Sequence, residues 1–433
     1  MMRTIRLYLT MALAGIICAC VQQPAEFEPS PLPIPSREEI SANDDWLSGH
    51  RMAYPDSEYA VTAPPRGYRP FYISHLGRHG SRFVTQEPVY LRLERQFRAA
   101  DSLGMLTELG RSALPDVLQL CEDARGRSGE LTHVGEQEHR HIAERMYRHY
   151  PEVFRGRGRV DVQTSARVRS IMSGVFAAER LKELNPRLDV SRSSHPGNWQ
   201  EIFCLDNIHE LSRILKGEGE LRSDEVKARM IPGDRLVKSL FTESPFIPED
   251  RRWLFAEDLH TVATDAKGAG RGDIDMMKLF TRDELFTMWE HNNACFYYMH
   301  VKSARFGTKA QQDAVKVCER IVAEADEAIA GEGIAANLRY GHDNNVLVLA
   351  SLLGIGVSNE PETDYHDIRN HFCDFLIVPF AGNVQMVFFR KGDDVLVKFL
   401  LNEQEIVPTG LTPVWGPFCR WEDVRKFIID RIC

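Results

Sequence analysis

Several common signals are missing from this 433-residue sequence, and each absence narrows what the protein can do. Beyond the N-terminus no run approaches about twenty consecutive apolar residues, so no transmembrane helix is expected in the mature chain. A basic excess is lacking as well. The formal charge is −9, which excludes a general nucleic-acid binder and requires any positive field to be local. No Cys-x-x-Cys pair and no Cys/His ligand spacing occurs, so a structural zinc site is not expected and no metal or cofactor is called for. No repeat of fixed period is visible, and no segment apart from one proline-rich stretch is low in complexity.

The N-terminus does carry a signal. Arg3 and Arg6 form a basic start, Leu7 to Ile17 an apolar stretch, and Ile17-Cys18-Ala19-Cys20 follows. That run resembles a bacterial lipobox in which Cys20 becomes the lipidated first residue, although ordinary secretory cleavage also fits. Both outcomes predict export, to the periplasm or outer membrane of a Gram-negative bacterium, and on the lipobox reading the lipid anchor is the sole tie to the membrane. Pro24, Pro29, Pro31, Pro33 and Pro35 suit an extended tether. Seven cysteines remain (Cys121, Cys204, Cys295, Cys318, Cys373, Cys419 and Cys433), an odd number with no readable pairing. Cys318 falls on an apolar helix stripe and is expected to be a buried thiol.

The rest of the chain divides by texture. After a signal peptide (1–19) and tether (20–58), strands are expected at Phe71–Ile73 and around Val160 and Val162. Helices are expected near 131–150 and 169–184. Residues 196–310 have few β-branched runs and several helical stretches, including one opened by Ser223 and another over 276–299. A helix over 310–330 stops at Gly331, and a further helix runs from about Asn344 to Leu353. Phe375–Val378, Val384–Phe389 and Val395–Leu400 read as strands, with Gly392-Asp393-Asp394 turning between the last two. Strands at both ends with helices between predict an α/β core, from 59–195 and 311–433, split by an α-helical cap over 196–310. A cleft at such a junction is a common place for a small-molecule site.

Chemistry is concentrated in three short segments. Arg78-His79-Gly80-Ser81-Arg82 leaves a strand and puts two guanidiniums around one imidazole. Guanidinium forks match the oxygens of a phosphoryl group and stay charged at any working pH. Gly80 is expected to let the backbone pass close to the anion. Gly341-His342-Asp343 offers an imidazole and a carboxyl group before a helix, though by itself it also reads as a plain helix cap. Thr164-Ser165-Ala166-Arg167-Val168-Arg169-Ser170-Ile171-Met172-Ser173 places an arginine at the start of a helix that follows a strand.

Together these segments resemble the histidine acid phosphatase family, the branch that includes phytases and multiple inositol-polyphosphate phosphatases. The first matches its Arg-His-Gly-x-Arg signature, the second its His-Asp signature, and Arg169–Ser173 its Arg-[Ser/Thr]-x-x-Ser segment. Leu131-Thr132-His133-Val134-Gly135 and Val378-Pro379-Phe380-Ala381 through Asn402-Glu403 resemble further family segments. The resemblance covers most of 65–425 and is weakest across 196–310. It implies a phosphoglycerate-mutase-like sheet core flanked by helices, with the site at the strands' carboxyl ends. It also implies that His79 is the nucleophile, that Arg78, Arg82, Arg169 and His342 hold the phosphate, and that Asp343 protonates the leaving oxygen. The expected partner is a small phosphorylated substrate and no nucleic acid. Multiple inositol-polyphosphate phosphatases often carry His-Ala-Glu where this chain has His342-Asp343-Asn344. Its proton donor therefore follows the acid phosphatase and bacterial phytase pattern.

Two other functions use the same residues. A phosphoglycerate-mutase-like phosphotransferase usually has Glu soon after Arg-His-Gly and lacks a late His-Asp, unlike this chain. A surface lipoprotein that only captures phosphorylated ligands would have lost its nucleophile or acid, and both are present. Weaker features have plainer readings. Gly268-Ala269-Gly270-Arg271-Gly272-Asp273 reads as a loop in the helical insertion, since no strand precedes it and no Lys-Ser/Thr follows. His139, Arg140 and His141 read as a solvated helix face, and His75 as either a site wall or strand-end packing. Trp289, Tyr297 and Tyr298 read as helix core.

Overall fold

The computed structural model describes residues 32–433 apart from 232, 332, 358–361 and 363. Cys20, the segment 1–19 and the first prolines of the tether lie outside the described residues. No helix among the described residues is long and apolar enough to cross a membrane.

Eight strands form one mixed sheet: β1 (Arg69–Arg78), β2 (Arg159–Thr164), β3 (Asp189–Ser193), β4 (Ile334–Gly341), β5 (Asn383–Lys391), β6 (Asp394–Leu401), β7 (Gln404–Ile406) and β8 (Phe418–Arg420). Their order is β3-β2-β4-β1-β5-β6-β7, with β8 on β6. The first four run parallel and the others pair antiparallel. Alternation along each strand builds two cores. Tyr72 and Leu76 of β1 join Met386, Phe388, Val397 and Phe399 beneath the helices Val315–Ala330, Asp343–Leu353 and Trp421–Ile432. On the other face Ile73 joins Val162, Leu338, Val387 and Phe389 beneath the helices His133–His149 and Val168–Leu184. Gly392, at φ 59°, makes the β5–β6 turn as expected.

The strand β4 was not expected. All eight of its residues are buried, so it shows no alternation, and after Ile334 it has no β-branched residue. Phe375–Val378, read as a strand, is instead a single helical turn, Asp374–Ile377, buried between the sheet core and the cap. Periodicity does not separate so short an apolar run into strand or helix.

The helical layer also draws on more chain than its sequence boundaries allow. One hydrophobic core joins Phe241, Phe255, Leu259 and Trp289 of the 196–310 insertion to Leu93, Phe97 and Val117. The last three belong to the helices Glu87–Ser102 and Glu108–Asp123, which the sequence left within the α/β part. Ile40 and Leu47 complete it. The segment over 36–58 is thus not an unpacked tether. Its helix Arg37–Ala42 is opened by a Ser36/Glu39 capping box, and Leu47 is fully buried. The seven cysteines from Cys121 onwards are free thiols, with Cys318 buried as expected.

Candidate active site

Register decides where the three chemical segments meet. In the parallel pair β1–β4, Arg78 lies opposite Gly341, and β2 ends with Thr164 opposite Tyr340. The residues after those points, His79, His342 and Ser165–Arg169, therefore leave three adjacent strands at one carboxyl edge, where open α/β sheets bind ligands. Rings of His79 and His342 come within 5.5 Å.

His79 is buried and its orientation is set by the backbone. Its Nδ1 lies 2.9 Å from the carbonyl oxygen of Gly80. A carbonyl can only accept, so Nδ1 carries the proton and Nε2 keeps a free lone pair. Burial, followed by Arg78, Arg169, Arg82 and His342, holds the imidazole well below its ordinary pKa. That shift favours the neutral imidazole.

Arg78 is fully buried, and burial lowers its pKa to about 10. One arm donates to the carbonyl of His50 and, at 2.7 Å, to that of Val378. Its Nη2 lies 3.1 Å from Asp343 Oδ2, and its guanidinium stacks 4.4 Å over Phe380. Arg82 packs 5.5 Å over the same ring and donates to the carbonyl of Phe83 at 3.0 Å. Arg169 opens the helix Val168–Leu184, where burial and then the field of Arg82 lower its pKa to about 10. The two serines of its segment lock that helix in place. Ser170 donates to the Gly341 carbonyl at 3.2 Å, while Ser173 accepts from the Gly80 N–H at 3.2 Å.

His342 precedes the helix Asp343–Leu353, its Nε2 lying 3.1 Å from Ser165 Oγ. Burial first and Arg169 second push it down to about 3. For Asp343, burial opposes ionisation but Arg78, with His50, His342 and His300, outweighs it and holds the carboxyl below the usual range. The structure thus gathers all six of His79, Arg78, Arg82, Arg169, His342 and Asp343 in one place.

At Gly80 the structure shows a close contact with another element. A Cβ there would lie 2.5 Å from the Gly135 carbonyl and 2.9 Å from Glu138, so the glycine admits the helix His133–His149. Glu138 then braces the loop, accepting from Ser81 N and Oγ, both at 2.7 Å, and from Tyr54 N at 2.9 Å. Thr132 caps that helix and donates to the Ser81 and Gly268 carbonyls at 3.1 and 2.6 Å. The glycine-rich loop is thereby a brace against the loop after β1, and its Arg271 is paired with Asp123 and Asp273. His139 is buried edge-on against Tyr340 and not on a solvated face, and His75 packs beside the same ring. His50, Glu138, Asp265 and Phe380 are site supports that sequence reasoning did not single out. Among the described residues no group of His, Cys, Asp and Glu is placed to hold a metal.

Beside Arg82 a cavity of about 530 Å3 opens between sheet core and cap, lined by His50, Arg51, Arg92, Arg222 and Lys227 among others. This architecture has solved counterparts. A Bifidobacterium longum multiple inositol polyphosphate phosphatase, determined with phosphate, superposes with a TM-score of 0.74 over 88% of this chain and 97% of its own. The fold is that of the histidine acid phosphatases. Identity to that protein is 16%. The D. castellii phytase matches at TM-score 0.69 and 15% identity, over 90% of this chain and 85% of its own. Hafnia alvei phytase with tartrate matches at 0.50 and 12%, over 85% and 98%. No family model and no curated protein sequence matches the chain. At these identities the histidine acid phosphatase likeness is one of fold.

Proposed function

We propose that this protein is a phosphomonoester hydrolase that works through a phosphohistidine intermediate, with inositol polyphosphates as the favoured substrates among small phosphomonoesters. The observation that carries the reading is the His79 geometry: a neutral imidazole with Nε2 free, ringed by Arg78, Arg82 and Arg169. His79 Nε2 attacks phosphorus as the ester P–O bond breaks, and Asp343 gives its proton to the departing alkoxide. Water then attacks the phosphohistidine and yields its proton to the Asp343 carboxylate. The P–N bond breaks, releasing phosphate and restoring His79. Three arginines supply the positive charge that many phosphoryl-transfer sites take from metal ions. Inositol phosphates are favoured because the cavity wall is rich in cations and because solved proteins of this fold act on them.

Substitution of His79→Ala should abolish phosphate release from phytate, sugar phosphates, nucleotides and p-nitrophenyl phosphate, with or without a chelator. Retention of more than about one per cent of the activity would remove His79 from the mechanism, since loss of a covalent nucleophile costs several orders of magnitude. The export reading of residues 1–20, with Cys20 as lipid attachment site, is part of this proposal. Mass spectrometry of the mature N-terminus tests it.

A further inference from the structure

Each turnover of the proposed reaction begins with a proton on Asp343. With the cleft empty, Arg78 at 3.1 Å favours the ionised carboxyl group, so the proton is shed when phosphate leaves and has to return when the next substrate binds. The Asp343 side chain is only 18% exposed, and a bound substrate covers it further.

His50 is placed to carry that proton. It lies in the short 3-10 turn Gly49–Arg51, on a segment with none of the sequence motifs. Its carbonyl accepts from one arm of Arg78, and the other arm of the same guanidinium faces Asp343. Its ring is gripped on one edge and one face. Nδ1 lies 3.3 Å from Asp374 Oδ2, which also accepts from the His50 N–H at 2.9 Å. The other oxygen of Asp374 accepts from Trp289 Nε1 at 3.1 Å and from the Phe375 N–H at 2.9 Å. This fully buried side chain thus meets donors at both oxygens, and His50 Nδ1 carries the ring proton. Phe296 stacks on the ring with centroids 4.1 Å apart. Nε2 makes no hydrogen bond among the described residues, on a side chain that is 11% exposed and lines the cavity.

The other imidazoles whose fields reach Asp343 lack that freedom. His300 spends Nδ1 on the Phe296 carbonyl and Nε2 on Asn344, both at 2.7 Å, and His342 spends Nε2 on Ser165. The charged and titratable groups around His50 are Arg51, Arg78, Asp343, Asp374 and His260. Burial lowers its pKa to about 4, against the opposing pull of Asp374. That brings its imidazolium near a carboxylic acid in strength, and transfer between groups of similar strength has little uphill cost.

We infer that the Asp374–His50 pair loads Asp343 with its proton while substrate occupies the cleft. A hydronium ion in the cavity protonates Nε2 and leaves as water. The imidazolium then gives the proton up: its N–H bond breaks as the carboxyl O–H bond forms, and neutral His50 is restored. His50 acts through Asp343 and is a positioning residue for its proton. This inference rests on the phosphomonoesterase reading and adds a residue to its machinery.

The test is His50→Asn, whose amide still reaches Asp374 but holds no exchangeable proton site and leaves room for a small guest. On an alkyl phosphate kcat should fall by about tenfold or more, and on p-nitrophenyl phosphate by less than about threefold, within the range that acid–base assistance supplies. Added imidazole, which a cavity of about 530 Å3 admits, should restore most of the alkyl phosphate rate. No loss, equal losses on the two substrates, or a loss that imidazole leaves unrepaired would overturn the inference. Should His50→Asn fail to fold, His50→Ala takes the same measurements with the same outcomes. The two readings fail separately. If the wild-type chain releases no phosphate from any ester, the hydrolase reading falls, whereas equal or unrepaired losses in an active enzyme remove only the role of His50.

Discussion

Asp343 holds two demands that conflict at first sight. As the proposed proton donor it must carry a proton, yet Arg78 at 3.1 Å favours the ionised form. A phosphoryl dianion resolves the conflict by competing for the same guanidinium. Binding weakens the interaction that lowers the carboxyl pKa and adds negative charge beside it. On the proposed mechanism, the substrate arms the acid that cleaves it. Asp343→Asn should therefore lower kcat on alkyl phosphates by about 10²–10⁴, and far less on p-nitrophenyl phosphate, whose leaving group needs little protonation. Equal losses on the two substrates would refute the donor role. All six candidate site residues could be singled out in the sequence because they sit in three short runs that together resemble one family; alone, only Arg78–Arg82 points to phosphate chemistry, while Gly341-His342-Asp343 also reads as a helix cap. Glu138 was not legible. On the chain it is one acid among the charges of a polar helix, and only folding turns it into the acceptor of three donors from Ser81 and Tyr54. Asp265 and His50 were hidden for the same reason, and Phe380 lay within a resembling segment without any polar group to mark it.

Among the elements, the loop after β1 and the helix His133–His149 approach each other closely. Two glycines meet there: a Cβ on Gly80 would lie 2.5 Å from the Gly135 carbonyl, and one on Gly135 would lie 2.3 Å from the Ser81 carbonyl. Backbone atoms cannot yield as a flexible side chain can. Gly80→Ala should cost about 1–3 kcal/mol of stability in denaturant unfolding, the usual range for overpacking, and depress kcat as the loop shifts. A change below about 0.5 kcal/mol would show that the loop has room to move. Elements with a face to the solvent, such as Val168–Leu184, were readable from their period. Elements buried on every side, such as β4 and the turn Asp374–Ile377, were not, because full burial erases the contrast between apolar and polar residues on which the period depends.

For the whole molecule, buried histidines set the response to acid. Burial pushes His50 and His291 down to about 4, and His75, His139, His260 and His342 down to about 3. In the unfolded chain each would take a proton near pH 6.5. The unfolded state therefore binds more protons below that pH, and the stability held in full above it drains away as pH falls. Burial raises Glu138, Asp265 and Glu403, which act in the opposite sense nearer the ordinary carboxylate range. The melting temperature should drop by about 5 °C or more between pH 7 and pH 5, where the histidines dominate. A flat profile would show that they are protonated in the folded protein. The packing of the 36–58 segment has a consequence of another kind, for the order in which the molecule is made. Arg78 is held by carbonyls 28 residues before it and 300 after it, and His50 is tied to Asp374 across 324 residues. A growing chain that already displays Arg-His-Gly cannot orient it until Val378 has been synthesised and brought back to the first strand. The site is therefore assembled late and all at once, and a chain cut short before that point lacks the site rather than holding a weaker one.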